Sequence, residues 1–530
     1  MSEPAKSTTR SLLWSASETW TTVALFLGTV LSRVPFRSHI LYHWDSVNFA
    51  FAMQHFDVAA EQPQPPGYIA YVWLCRLVDL LFHDPQTTMV WISIVGSGLA
   101  VVAMYLLGRA MFDRRTGLVG ALFLATSPLF WFYGEIALPH ALDTFLVILS
   151  AWLLWEVMQG RAWAVVPAAA SLAVAGGVRQ QTPVFLGLTA LCAAIRFLRR
   201  VGWVRGLRWG GVAIAVFGLL CAGWFFPLIN STGGLARYRQ VVGAFSERFD
   251  TTTSLLLGAG WFGLSRNLRK LSMYTAFGWS VALVPLGLYV LQRVGQRRFG
   301  VRWERILFLL AWVSPPLFFY VIIHMGQQGL VFVFLPALLL VSALATVRLL
   351  EGRGRMALAM GMAALVLINV GLFIALPEYP LGSERLKVLS WDTLRNNDVY
   401  YQGRFDAIRE HFPAESTAII ATRWRHVQWY LPEYRLLPFS IVGKWELGAG
   451  SAMDVGREEQ VLTAEKLGAR GAQVWVVIFD PDLGPFNTTP EQVESVALSG
   501  GDVLHCFSLA ANEQLIYGPR SFGLSLSKEQ

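Results

Sequence analysis

The chain has 530 residues, of which 54% are hydrophobic and only 15% charged, with a formal net charge of +8. A water-soluble domain carries about a quarter charged residues, so these figures exclude a soluble enzyme, a disordered chain, a collagen and a coiled coil. The apolar residues fall in blocks close to the length of a bilayer crossing, which reads as one polytopic membrane domain.

Lys6 and Arg10 precede the first apolar block, in the manner of a signal anchor. No small-residue cleavage site follows, so the segment is expected to stay in place. Windows of about 19 residues predict about eleven spans, near 17–36, 88–108, 117–133, 140–158, 163–178, 181–197, 210–229, 274–292, 304–323, 329–347 and 356–376. Alternating them from a cytoplasmic N-terminus puts about 19 Lys/Arg in the inner loops and about nine in the outer ones. That bias orients the chain with its C-terminus outside and accounts for the basic balance without nucleic acid.

Two outer loops are long, 37–87 and 230–273. The first holds Phe49–Met53 and Gly67–Phe82, apolar stretches broken by charges. They are expected to lie along the membrane surface. Reading 67–82 as a span instead would place the arginine runs outside.

From 377 to 530 the composition becomes that of a soluble domain. β-like runs at 417–421, 435–441, 473–478 and 502–507 alternate with helical stretches near 402–411, 456–468 and 489–499. The alternation predicts a small α/β domain with a largely parallel sheet. No Gly-rich phosphate loop is present. Cys75, Cys192, Cys221 and Cys506 have neither disulfide-framework nor metal-site spacing.

Charges beside a bilayer are costly unless paired or used, so they are the informative residues. Asp45, in His43-Trp44-Asp45-Ser46, follows the first span. It is either the N-cap of a surface helix or a general base at a cavity mouth. Beyond it come Gln64-Pro65-Pro66-Gly67-Tyr68, Tyr105-Leu-Leu-Gly-Arg109, Ala125-Thr-Ser-Pro-Leu129 and Ala141-Leu-Asp143.

This ordered series resembles the GT-C type polyprenyl-phosphate-dependent glycosyltransferases, in the branch of protein O-mannosyltransferases and aminoarabinose transferases. The resemblance spans roughly 15–375, and its first 150 residues carry the most specific motifs. It implies a GT-C membrane domain over 1–376 followed by an extracytoplasmic domain over 377–530. It also implies transfer of a monosaccharide from a polyprenyl-phosphate donor to a lipid, polysaccharide or protein acceptor. No cofactor or metal is implied, and the location is the bacterial inner membrane.

In such enzymes an Asp after the first span, often followed by Glu, acts as the base. Here Asp45 is followed by Ser46, which leaves Asp57 or Glu61 as possible partners. The resemblance further implies Asp143 as an acid shaping the acceptor side, with Glu135 similar to it. Arg179 is implied as a phosphate ligand, and His324 as a donor-site residue. Each has a plainer reading: Asp143 satisfies helix amides, Arg179 snorkels to the interface, and His324 is structural. Arg266, Arg269 and Lys270 form a cationic patch for a phosphate or an anionic lipid. His43 and His55 flank Asp45 without a standard ligand spacing.

Two rival readings stand beside the enzyme. One is a transporter or flippase of lipid-linked sugars, which would place ionisable residues near the bilayer midplane; the other is a non-catalytic relative. Ser390-Trp391-Asp392 stands where oligosaccharyltransferases carry Trp-Trp-Asp, which argues against whole-oligosaccharide transfer.

Overall fold

A computed structural model describes residues 16–296, 302–351, 353–381, 386–438, 460–463, 473–480, 494–498, 501–510, 513–517 and 525–528. Its first half is helical throughout: α1 (Ala16–Arg33), α2 (Trp44–Gln54), α3 (Ile69–Phe82), α4 (Pro85–Met111), α5 (Arg114–Thr126), α6 (Pro128–Tyr133), α7 (His140–Met158), α8 (Val165–Val178), α9 (Gln181–Phe185) and α10 (Gly187–Val201). Then follow α11 (Trp203–Ser231), α12 (Leu235–Thr253), α13 (Gly260–Trp279), α14 (Leu283–Gln296), α15 (Trp303–Ile322), α16 (Leu335–Leu350) and α17 (Gly354–Ile374).

Among the described residues, six helices are long and apolar enough to cross a membrane: Pro85–Met111, His140–Met158, Trp203–Ser231, Gly260–Val294, Trp303–Ile322 and Met356–Ile374. The chain is read as an integral membrane protein for a further reason. On α11, Ile214, Leu219 and Phe226 are 74%, 75% and 63% exposed, an apolar band suited to a bilayer rather than to water. By contrast α4 and α7 are buried centrally, α4 packing on α7, α5 and α1. Several expected spans are broken by local chemistry. The 117–133 stretch splits at Ser127-Pro128, and the 274–292 stretch turns at Ser280, whose φ is 49°.

The two long segments 37–87 and 230–273 are helical too. The first holds α2 and α3, and the second holds α12 and the start of α13. At 14 residues, α3 is about 21 Å long, short of the roughly 30 Å hydrocarbon core. Between α2 and α3 the chain reverses at Gly67 and Tyr68, with φ of 118° and 43°. A Cβ on Gly67 would lie 2.6 Å from Leu228 Cδ1, so the turn needs glycine for space as well as for conformation.

The C-terminal part adds β1 (Pro380–Leu381), β2 (Leu386–Lys387), α18 (Trp391–His411), β3 (Thr417–Ala421), α19 (Trp424–Tyr430), β4 (Arg435–Pro438), β5 (Gln460–Thr463) and β6 (Gln473–Ile478). It ends with β7 (Glu494–Ala497), β8 (Val503–Ala510), β9 (Glu513–Tyr517) and β10 (Ser525–Lys528). One sheet has the order β4-β3-β6-β8-β7 and another β10-β9-β5.

Three expectations are corrected here. The larger sheet is mixed, because β4, β3 and β6 run parallel while β8 is antiparallel to both β6 and β7. Within 456–468 the described residues 460–463 form a strand paired to β9. Within 489–499, β7 is a strand turned back onto β8 at Gly501, whose φ is 88°. In both places pairing with a neighbouring strand overrides a local helical preference. The rest of those two segments lies outside the described residues, as do 439–441.

Candidate active site

A cavity of about 700 Å³ opens between α2, the 61–68 loop, the starts of α7 and α9, α12, α13 and the end of α15. Asp45, Arg179, Arg266, Lys270 and His324 all line it. They come from four separate stretches of sequence, two of which belong to the 37–87 and 230–273 segments.

Asp45 is not the N-cap of its helix. That role falls to His43, whose Nδ1 accepts from the Asp45 amide at 3.1 Å, while the His43 amide donates to Ser46 Oγ at 3.3 Å. With the helix capped by its neighbours, the Asp45 carboxylate is left for the cavity. Its Oδ2 accepts from Gln327 Nε2 at 2.6 Å and lies 3.6 Å from His43 Nδ1. Ser46, where relatives of the resembled family often carry an acid, is therefore occupied in capping and fully buried.

Arg179 is the C-cap residue of α8 and is buried. Asp143 sits behind it rather than on the cavity wall. One Asp143 oxygen lies 3.6 Å from Arg179 Nη1, and the other accepts from Thr182 Oγ1 at 2.7 Å. A buried guanidinium held by one carboxylate keeps donors to spare for a second anion. Tyr68 faces the same space; burial pushes its phenol up to about 12, against the pull of Arg179, so it remains a proton donor.

On the opposite wall Arg266 and Lys270, one turn apart on α13, point inward. Arg266 Nη1 is buried and finds no hydrogen-bond partner among the described residues. Arg269, between them in sequence, is exposed and does not line the cavity. His324 touches Thr253 Oγ1 through Nδ1 at 3.0 Å. Burial, aided by Arg266 and Lys270, holds its imidazole down to about 4. It is thus neutral near pH 7 and can offer a hydrogen bond but no charge.

Besides Asp143 and Arg269, two more expected residues stand off the cavity wall. Asp57 Oδ1 accepts from the amides of Ala59 and Ala60 at 2.9 and 3.3 Å, which makes it a turn-forming residue of the 57–62 loop. Glu135 is fully buried beneath that level, where burial raises its carboxyl well above the usual range while Arg33 draws it down. Glu61 does reach the cavity, where it pairs with Arg248 of α12 at 2.9 Å. Gln327, His140 and Tyr320 are wall residues that sequence reasoning missed. Gln64 and Tyr68 carried a signal, since both flank the Pro-Pro pair. Among the described residues no group of three His, Cys, Asp or Glu side chains is placed to hold a metal ion.

Residues 64–224 match the family model described as dolichyl-phosphate-mannose-protein mannosyltransferase. No curated protein matches the chain in sequence. In structure the chain is similar to ArnT from Cupriavidus metallidurans bound to undecaprenyl phosphate, with TM-score 0.54 and 12% identity over 93% of this chain and 98% of that one. The apo state of the same protein gives TM-score 0.53 and 13% identity over 94% and 99%. The Archaeoglobus fulgidus oligosaccharyltransferase is less similar, at TM-score 0.47 and 12% identity over 86% and 67%. At such identities a structural likeness speaks for fold alone. The chain therefore shares the fold of ArnT over almost its whole length, and resembles the GT-C type polyprenyl-phosphate-dependent glycosyltransferases in its 64–224 segment as well.

Proposed function

We propose that this protein is a membrane glycosyltransferase which moves a monosaccharide from a polyprenyl-phosphate donor to an acceptor hydroxyl at the extracytoplasmic face. The observation that carries the reading is the convergence of the Asp45 carboxylate with Arg179, Arg266 and Lys270 in a single 700 Å³ cavity. Supporting it are the shared fold with an ArnT that binds undecaprenyl phosphate and the family match over 64–224.

The chemistry asks for those groups. As the acceptor hydroxyl attacks the anomeric carbon, its proton passes to the Asp45 carboxylate. The bond from that carbon to the phosphate oxygen breaks, and its electron pair leaves with the lipid phosphate. A single displacement inverts the anomeric centre. Arg179, Arg266 and Lys270 meet the charge developing on the phosphate, in a site where burial strengthens the interaction. Gln327 fixes the orientation of the base through its 2.6 Å bond, and Asp143 holds Arg179 in place. Asp57, Glu135 and Arg269 have no part in this scheme, and His324 serves as a neutral hydrogen-bonding group.

In this reading residues 1–376 form the transferase domain and 377–530 an extracytoplasmic domain, with the N-terminus in the cytoplasm and the protein in a bacterial inner membrane. The acceptor is a lipid, a polysaccharide or a protein.

The test is transfer of radiolabelled sugar from a panel of polyprenyl-phosphate donors in native membranes, with wild type against Asp45→Asn. Asn keeps the shape and loses the base. Transfer is expected from wild type and lost in the variant, with donor binding retained. Undiminished transfer by Asp45→Asn removes Asp45 from the mechanism. No transfer from any donor favours the transporter reading instead.

A further inference from the structure

Residues 38–41 lie between α1 and α2, the helix that bears Asp45. Their backbone is not held by the membrane part alone. The amides of His39 and Ile40 donate to the carboxylate of Asp398, at 2.8 and 3.2 Å, and the Ser38 hydroxyl lies 3.0 Å from the same group. The Leu41 amide donates to Tyr430 Oη at 2.9 Å, and the Leu41 carbonyl accepts from His426 Nε2 at 2.9 Å. Both backbone groups of Leu41 are thus satisfied by α19, and the segment before it by α18.

Side chains continue the contact. Ile40 is buried in the core built by Tyr401, Phe405 and Val427 of the C-terminal part. Trp44 meets Trp424 edge to face at 5.2 Å, and Phe51 meets Trp429 at 5.0 Å. His426 itself is fixed by stacking on Tyr401, at 4.4 Å and 14°. A cover over the cavity would need none of this. Three successive amides and one carbonyl, four to six residues from Asp45, are bonded to side chains some 360–390 positions away in sequence.

We infer that Asp398, His426 and Tyr430 are positioning residues for Asp45: the C-terminal part clamps the 38–41 segment and so fixes the first turn of α2 where the base must stand. The inference rests on the reading of Asp45 as the base. Displacing a reacting group by about 1 Å costs on the order of 100-fold in rate. A loosened clamp therefore shows in turnover rather than in donor affinity.

The experiment compares the full-length protein in nanodiscs with Asp398→Ala, Tyr430→Phe, His426→Ala and His426→Gln, using Asp406→Asn on the exposed side of α18 as control. Two quantities are read: hydrogen exchange at the amides of residues 39–41, and kcat and KM for the polyprenyl-phosphate donor. Asp398→Ala and Tyr430→Phe are expected to speed exchange at those amides at least about tenfold. The two variants and His426→Ala are expected to lower kcat about 10- to 100-fold, with KM within about twofold. Gln restores an N–H donor toward Leu41, so His426→Gln is expected to recover most of the turnover that His426→Ala loses.

Normal kcat in Tyr430→Phe and Asp398→Ala, while Asp45→Asn abolishes transfer, overturns the positioning role. So does unchanged protection of residues 39–41. If the wild type transfers no sugar, the reading of Asp45 as base fails. In that case the exchange data still report on the clamp, which separates the two failures.

Discussion

Asp143→Asn isolates the buried pair behind the cavity. The substitution keeps the shape and the acceptor that Thr182 Oγ1 uses at 2.7 Å, and removes only the charge facing Arg179. At the observed 3.6 Å separation, two unit charges attract by about 4–5 kcal/mol at an effective dielectric of about 20. Both side chains are at most 10% exposed, so solvent screens little of this. Breaking a buried pair while leaving one ion behind costs about 3–5 kcal/mol. We take about 3 kcal/mol, because the cavity gives Arg179 access to water. A 530-residue chain at about 2.1 cal/mol/K per residue has an unfolding entropy near 1 kcal/mol/K, so the expected loss in Tm is about 3 °C. The lost charge makes the site more attractive to an anion. A phosphate on Arg179 replaces the missing carboxylate, and no longer has that carboxylate behind it. Saturating undecaprenyl phosphate is therefore expected to raise the Tm of Asp143→Asn more than that of wild type, and to bind it at least about tenfold tighter. The assay is thermal unfolding in detergent with and without the lipid phosphate, together with equilibrium binding. Equal ligand-induced shifts in the two proteins would refute Arg179 as a phosphate ligand balanced by Asp143.

Two further outcomes are expected. Gly117 lies where α5 crosses α4, and an added Cβ would come within 2.5 Å of Tyr105 O and 2.7 Å of Arg109 N. These are backbone atoms that cannot step aside, so Gly117→Ala is expected to cost about 2–3 kcal/mol, seen as a fall in Tm of about 2–3 °C with donor KM unchanged; an unchanged Tm would mean that the crossing is looser than described. The second concerns pH: burial holds His324 down to about 4 and His426 to about 3, against 6.5 for a free imidazole. The unfolded chain binds these protons first, so their contribution to stability is full above 6.5 and is lost as pH falls toward 4 and 3. Subtracting the pH–Tm curve of His426→Gln from that of wild type is expected to show a loss on acidification below about 6.5, and a flat difference would contradict a buried neutral imidazole.

Much of the cavity was legible in the sequence because charge beside a bilayer is expensive and therefore informative. Asp45, Arg179, Arg266 and Lys270 stand near the ends of apolar blocks, and the fold gathers all four. The expected residues that do not line the cavity show that a charged side chain can find quite different surroundings. Asp57 accepts two amides of its own loop through Oδ1 alone, and Glu135 is fully buried, with Arg33 only drawing down a carboxyl that burial raises. Arg269 sits on the same helix as two cavity residues but on the edge of their face. Gln327 carried no signal at all, since a neutral amide after a span has no pattern to betray it, yet it makes the shortest bond to Asp45.

The same limit explains why the C-terminal part was only half readable. Strands β3 and β6 are almost wholly apolar and were plain, because parallel strands are buried on both faces. Strands β5 and β7 lie at sheet edges, where pairing with β9 and β8 decides the conformation and the local sequence does not. Contacts between residues far apart in the chain are invisible to pattern reading for the same reason. Asp398, His426 and Tyr430 look like ordinary surface helix residues until the fold places them on the 38–41 segment. If the transfer reaction is as proposed, the base belongs energetically to two parts of the molecule. The part before residue 377 supplies Asp45 and the cations of the cavity, while α18 and α19 supply the surface that keeps the base aimed at them. A substitution in either part should then reach the same step, and the place to see it is kcat.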